Sequence, residues 1–247
     1  MQVERIDFIA VPVEDLERAD TFYGETLGLA RNPKSSGDRW VEYETGNLTL
    51  ALSTFGGTLA LRVPDVGDTR SELEQQHVQF VMDTFDSGVC HGAPFADPDG
   101  NRLALHRRYA PIEHFDVPDQ EVQRTDFVGV NVRDRARASD FYGGTLGLRR
   151  NPLSSAEWPE FEAENVGVVL STPQQKGGGD YRPEYGIALR VADVQETMDR
   201  LQSAGVEFEF PEAYDSGVCH MAFFRDFDGN ALMLHRRYAP YRDGTMP

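Results

Sequence analysis

The chain predicts an α+β fold made of four βαβββ units, two in each of two tandem copies. Three observations carry this. "FDSGVCHGAPFADPDGNRLALHRRYAP" at 85–111 returns as "YDSGVCHMAFFRDFDGNALMLHRRYAP" at 214–240. "IDFIAVPVEDLERADTFYGETLGLARNP" from Ile6 returns as "TDFVGVNVRDRARASDFYGGTLGLRRNP" from Thr125. Within each copy the hydrophobic period runs strand, helix, strands and then restarts, and a fixed internal period sets architecture before any local assignment.

The first copy, 1–111, opens on the β-rich run "IDFIAVPV". "EDLERADTFYGETLG" follows with Leu16, Ala19, Phe22, Tyr23 and Leu27 at helical spacing and Gly28 at the close. "WVEYET" and "LTLALST" read as strands around the turn residues Gly46 and Asn47. The order then restarts. "LALRVPDV" is a strand, "DTRSELEQQHV" a helix with an acidic start, "FVMDTFD" and "VCHGAPFA" strands, and "NRLALHRR" a last strand after the turn "DPDGN". The polar stretch 112–122 links this to the second copy, 123–241, in which "PQQKGGGDYRPEYG" carries ten extra residues, the offset rising from 118 (Thr54 to Thr172) to 128 (Ala60 to Ala188). Each copy is long enough to bury a core of its own.

Composition excludes some partners. Forty-one acidic against 24 basic residues give a formal charge of −17, which repels nucleic acid and anionic membrane. Only Lys34 and Lys176 are lysines, and an acidic, lysine-poor surface is what a halophilic, salt-crowded cytoplasm favours, although acidic proteins also occur in ordinary cytosols. No apolar run approaches a membrane span and "MQVERIDF" has no signal-peptide core, so a cytoplasmic location is expected. The two cysteines occupy equivalent places and read as reduced thiols.

The order of elements, with "FYGETLGL" after the first strand and "DPDGN" before the last in both copies, resembles the vicinal oxygen chelate superfamily of glyoxalases, extradiol dioxygenases and bleomycin-resistance proteins. The resemblance implies that each copy closes into an eight-stranded sheet around a cavity, giving two tandem glyoxalase-like domains. It also implies a divalent metal held by His, Gln or Glu at four positions. Matched residue by residue, these fall on Phe8, about Ala51, about Thr58 and Ala104, and on Phe127, Val169, Gly186 and Met233. Only Thr58 offers even a weak donor, so no metal and no other cofactor is expected, a divalent ion having a place only at non-standard residues.

Strand parity puts His106 on the face of Ala104, His235 on that of Met233, and Cys90 with Gly92 opposite His91. Three readings of these residues compete. The histidines and cysteines are structural; or His106 or His235 gives a hydrogen bond or proton to a small molecule; or Cys and His form a soft metal site or a thiolate–imidazolium pair, for which no third ligand or orienting carboxylate stands at a suitable spacing. His91 and His220 are assigned to structure, in the core or an interface. Glu42 and Glu44, with Glu160 and Glu162, share a strand face and read as solvated, the alternative being a cavity carboxylate, and Asp97, Asp99, Asp226 and Asp228 read as turn residues with no further role. The expected function is a bleomycin-resistance-like small-molecule binder, monomer or homodimer, whose partly aromatic or apolar ligand meets Phe8, Cys90 and His106 in one copy and Phe127, Cys219, Met233 and His235 in the other. The second copy is expected to bind better, covered by its longer loop. The alternative is an enzyme, a glyoxalase-like lyase, isomerase or dioxygenase, using a non-standard metal or Cys/His site.

Overall fold

The structure is a computed structural model and describes residues 2–111, 115–173, 180–240 and 244–246. In the first copy β1 (Arg5–Pro12), β2 (Ala30–Gly37), β3 (Trp40–Glu44), β4 (Thr49–Ser53), β5 (Thr58–Arg62), β6 (Phe85–Asp86), β7 (Cys90–Ala96) and β8 (Arg102–Arg108) form one eight-stranded sheet in the order β2-β3-β4-β1-β5-β8-β7-β6. The two βαβββ units meet edge to edge where β1 runs antiparallel to β5. Helices α1 (Leu16–Thr21) and α2 (Val66–Gln75) start at Asp15 and Asp65, whose carboxylates accept from the backbone N–H groups of Arg18 and Asp68.

The second copy repeats the order with β9 (Arg124–Asn131), β10 (Arg149–Arg150), β11 (Glu160–Ala163), β12 (Val166–Ser171), β13 (Tyr185–Arg190), β14 (Tyr214–Asp215), β15 (Cys219–Arg225) and β16 (Ala231–Arg237). Its helices are α3 (Arg135–Ser139) and α4 (Val194–Ser203). The four βαβββ units and the two tandem eight-stranded sheets are therefore as expected.

Period 2 sorts each sheet into two faces. Ile9, Leu50, Leu52, Leu59, Leu61, Leu103 and Leu105 are buried in one cluster with Val66 and Leu73 of α2, which makes theirs the helix-packed face. Phe8, Ala60, Ala104 and His106 alternate with them and lie on the opposite, helix-free face.

Four local expectations change. Of "FVMDTFD" only Phe85–Asp86 is a strand and Phe80 a bridge to Phe95, because Val81 and Met82 find no partner surface and stay exposed. Conversely Ala30–Gly37 forms an edge strand that its proline and polar residues hide, and an edge tolerates Pro33. The described part of the linker is bonded to both copies: Gln120 accepts from Ala30 N and donates to Glu44 O, while Glu121 accepts from Thr197 and Arg200. Nor are the cores separate, since the buried apolar residues of both copies form one continuous cluster.

The seam is reciprocal. Tyr23 donates to Asp226 Oδ2 at 2.9 Å and Tyr142 to Asp97 Oδ2 at 3.1 Å, while Asn230 reaches Pro12 O and Asn101 reaches Asn131 O, each at 2.8 Å. Asp99 pairs with Arg137, and Asp228 accepts from Glu14 N at 3.1 Å. These aspartates thus do more than close turns: each "DPDGN"-type turn is a hook into the other copy, and the buried tyrosine of each "FYG" is its catch. Residues 174–179 of the longer loop lie outside the described residues. The loop's described flank packs on the first copy's turn, Tyr181 donating to Asp99 O at 2.7 Å with Arg133 stacked 4.1 Å over its ring.

Candidate functional site

On the helix-free face of the first sheet, His106 in β8 stands between two chemical partners. Its Nδ1 lies 2.6 Å from Asp7 Oδ2, and the other side of the ring is hydrogen-bonded to the Cys90 thiol from the neighbouring β7. The register explains the contact. Gly92 is paired with His106 and Cys90 with Arg108, so thiol and imidazole are diagonal neighbours on one face.

Asp7 reaches that face through a β-bulge. Ile6 faces Leu61 and Phe8 faces Ala60, which leaves Asp7 as an extra residue in β1 with no partner in β5. Simple alternation would put Asp7 opposite Phe8, in the helix-packed core. The bulge instead brings both to the same face. Arg62 Nε, 2.8 Å away, and Arg5 Nε, 3.1 Å away, complete the ion pairs on Asp7 Oδ1.

The second copy repeats the assembly atom for atom. Asp126 is extra between Thr125 and Phe127, its Oδ2 lies 2.5 Å from His235 Nδ1, Arg190 pairs with its Oδ1 at 2.7 Å, and Cys219 is hydrogen-bonded to His235. The orienting carboxylate that was expected to be missing is therefore present in both copies. Local spacing does not disclose it, because the carboxylate and the histidine are 99 residues apart in one copy and 109 in the other. The available signal was an acid recurring at one place in two apolar strands, "IDF" and "TDF".

These contacts fix charge. Burial disfavours the His106 imidazolium, but the hydrogen bonds and charges of Asp7 and Cys90 outweigh it and push the pKa up to about 9. His235 is likewise raised to about 9, with burial opposed by Asp126 and Cys219. For Asp7, burial raises the pKa while the His106 and Arg62 contacts lower it, and the net direction is down. Cys90 follows the same logic: burial raises its pKa, and His106, the Ser87 hydroxyl 3.1 Å from Sγ and Arg108 bring it below the usual thiol value.

Aromatic rings share the face of the imidazole. Phe8 sits edge-on to His106 with centroids 5.2 Å apart, Trp40 packs edge-on against Phe8 at 5.2 Å, and the Trp40 indole donates to Glu42 at 2.7 Å. Glu42 therefore belongs to this face and is engaged by a ring of the site, contrary to its reading as a solvated acid. Beyond His106, Phe85 lies over Gly92, where a β-carbon would come within 2.4 Å of the ring. In the second copy Phe127 sits edge-on to His235 at 5.4 Å, Met233 shares their face, and Met221 occupies the place of Gly92 beside His235. Trp158, the counterpart of Trp40, is 48% exposed, and Cys219 is buried at 8% whereas Cys90 is partly open.

His91 and His220 do not serve the core. They lie on the surface, about half exposed, at 3.6 and 3.8 Å from Asp86 and Asp215 and against the rings of Tyr109 and Tyr238. Their duplicated neighbourhood is a surface clasp on the β-turns before β7 and β15. Two clefts of about 430 and 380 Å³ open along the seam between the copies, away from all four of these histidines.

The positions at which the superfamily resemblance implies a metal carry Phe8, Ala51, Thr58 and Ala104, with the Thr58 hydroxyl turned to Arg102 O at 3.2 Å. Their counterparts are Phe127, Val169, Gly186 and Met233. Carbon side chains hold no divalent ion, so these residues do not fit the group. Asp7, His106 and Cys90 form a line, both imidazole nitrogens being spoken for, and among the described residues no three His, Cys, Asp or Glu side chains converge as a metal cage.

Comparison with known proteins agrees with this architecture. The family model described as Glyoxalase/Bleomycin resistance protein/Dioxygenase superfamily matches residues 5–105 and 124–234. No curated protein matches the chain. Among solved structures, homoprotocatechuate 2,3-dioxygenase from Arthrobacter globiformis is similar with a TM-score of 0.70 at 14% identity, covering 99% of this chain and 84% of that one. The Mn(II)-bound glyoxalase from Novosphingobium aromaticivorans is similar with a TM-score of 0.67 at 13% identity, covering 95% and 82%. At such identities the likeness concerns the fold alone. With two matched segments that span both copies, the chain belongs to the glyoxalase/bleomycin resistance protein/dioxygenase superfamily.

Proposed function

We propose that this protein binds a small, partly aromatic or apolar molecule on the helix-free face of its first sheet, without the metal chelate of its superfamily, in the manner of a resistance-type binding protein. The observation that supports this most is the ring of Phe8, Trp40 and Phe85 around a histidine held cationic by Asp7. Apolar walls with a single polar anchor are what a small-molecule site requires. The rings take the ligand's flat body, and the positive charge of His106, whose ring nitrogens are engaged by Asp7 and Cys90, attracts its oxygen. In the second copy Trp158 is turned outward. A cytoplasmic monomer or homodimer is consistent with this reading, and among the described residues no helix is long and apolar enough to cross a membrane.

The test uses the two tryptophans. In a Trp158→Phe chain only Trp40 emits, and titration with phenylacetate in the presence of EDTA is expected to change its emission saturably. His106→Gln is expected to weaken that binding by roughly tenfold, the usual cost of one buried polar contact. A response that appears only when manganese or iron is added overturns the reading.

A further inference from the structure

Resting on that binding reading, we propose that Cys90 is a nucleophile, activated by His106 and positioned by Asp7, that adds covalently to planar conjugated carbonyl compounds, and that Cys219 is its closed counterpart. A nucleophile, a base hydrogen-bonded to it and a third group orienting the base is the arrangement that turns a weak side chain into a reactive one, whatever the fold. Here all three stand on strands of one sheet. Cys90 is on β7, His106 on β8 and Asp7 at the β1 bulge, with the Asp7–Nδ1 contact at 2.6 Å fixing the tautomer that leaves Nε2 for sulfur.

The charged groups around the pair support a thiolate–imidazolium state. Asp7 faces the imidazole from β1, and Arg62 from β5 pairs with Asp7. Arg108 of β8 and the Ser87 hydroxyl face the sulfur, and the Tyr109 phenol, held by Asp86 at 2.6 Å, completes the rim. The lowered thiol pKa and the raised imidazole pKa both favour the thiolate–imidazolium pair over the neutral thiol and imidazole.

The walls select the electrophile. A thiolate attacks a polarisable carbon, and the Phe8, Trp40 and Phe85 rings favour a flat, apolar carrier of it, which together describe an aryl-substituted enone. In the step itself sulfur forms a bond to the β-carbon and the C=C π pair moves to the carbonyl oxygen as an enolate. The His106 imidazolium then returns to the α-carbon the proton that the thiol had given up. The product is a thioether, with no net oxidation and no other reactant. In the second copy Met221 takes the place of Gly92 beside the histidine and Cys219 is buried, so the same three residues are not presented to a ligand.

The experiment uses full-length chains with one cysteine each, Cys219→Ser and Cys90→Ser. Iodoacetamide alkylation, followed by intact mass between about pH 5 and 9, reads the thiolate directly. Cys90 is expected to react at pH 6 at least roughly tenfold faster than a free thiol with its usual pKa of about 8.5, and Asp7→Asn or His106→Gln is expected to move its pH profile back toward that of the free thiol. Cys219 is expected to stay unlabelled until the chain is denatured. An ordinary thiol profile for Cys90, or a fast one indifferent to Asp7→Asn, overturns the proposal. Benzylideneacetone, an aryl enone, is then expected to add once per chain at Cys90. Its saturated analogue, 4-phenylbutan-2-one, separates the two claims. If Trp40 emission reports binding of the analogue while the enone forms no adduct, the covalent proposal fails and the binding reading stands. If neither acts, both fail.

Discussion

The side-chain amide of Asn165 closes on the backbone of Ile6, donating to its carbonyl at 2.8 Å and accepting from its N–H at 3.0 Å. Asn165 belongs to the second copy, and Ile6 immediately precedes Asp7 in the first. The reciprocal contact joins Asn47 to the N–H and C=O of Thr125, one residue before Asp126. Each copy thus holds the strand just ahead of the other's bulge, and so holds the carboxylate that orients the other's histidine. The seam that fuses the two copies is part of both sites.

Removing one clasp is therefore expected to act across the seam. Asn165→Ala deletes both bonds to Ile6 and a third to Asn47 O at 2.8 Å, and is expected to destabilise the chain by about 1–3 kcal/mol. Its specific signature is on the first copy: the His106 imidazole is expected to titrate at lower pH while His235 keeps its value. Asn47→Ala is expected to reverse the pattern. NMR titration of the two imidazoles measures it, and equal shifts in both histidines with either substitution refute the assignment.

Stability is expected to fall on the alkaline side. Each imidazole stays protonated in the folded chain to about pH 9 against an ordinary value of 6.5. The folded state therefore binds more protons between those limits, so the contribution is complete below about 6.5 and is lost as pH rises through 9. The matching Asp7 contribution has the opposite sense, present above the ordinary carboxyl value and lost as pH falls, because its pKa is lowered. Urea unfolding at pH 6 and pH 9.5 is expected to differ by on the order of 1–3 kcal/mol, a range set by linkage and reduced for residual solvent access. Asp7→Asn with Asp126→Asn is expected to flatten the difference.

The duplicated histidines are expected to differ in kind. His91→Ala removes a half-exposed ring whose partner Asp86 is itself exposed, and such surface changes stay within about 0.5 kcal/mol. His106→Ala strips Asp7 of its buried partner and leaves a carboxylate facing only Arg62 and Arg5, an expected loss of about 2–4 kcal/mol. Parity assigns His91 to structure and His106 to a ligand, whereas the buried partner belongs to His106. Thermal unfolding of the two variants decides the order.

What was legible in the sequence was whatever repeats or alternates. The two copies, the βαβββ order and the shared face of Cys90 and His106 all follow from period and parity, and the structure has them. What was hidden depends on contacts between distant segments. The bulge that turns Asp7 toward His106 is a register break, which no periodicity announces. The "DPDGN" hooks looked like complete turns because Asp97 does bond its own turn, at Asp99 N and Asn101 N, and only Tyr142 shows its second task. Trp40 and Trp158 match in sequence, yet a strand that begins at Glu160 leaves the second one outside.

The acidic composition carries the last expectation, that salt stabilises the chain. A formal charge of −17 concentrates like charges on folding, and mobile ions screen that repulsion over about 8–10 Å near physiological strength and about 3 Å at 1 M. The ion pairs that salt weakens are partly buried around Asp7 and Asp126, where screening is poor, so the loss there is small beside the relief at the surface. The melting temperature is expected to rise by about 3–6 °C between low and molar potassium chloride, which at this length corresponds to roughly 1–2 kcal/mol. General salting-out raises it too, and neutralising exposed acids separates the two effects. Asp38→Asn with Glu207→Gln and Glu212→Gln is expected to raise the melting temperature in low salt and to reduce the salt slope, whereas salting-out leaves the slope unchanged. A melting temperature that is flat or falls with potassium chloride refutes the high-salt setting.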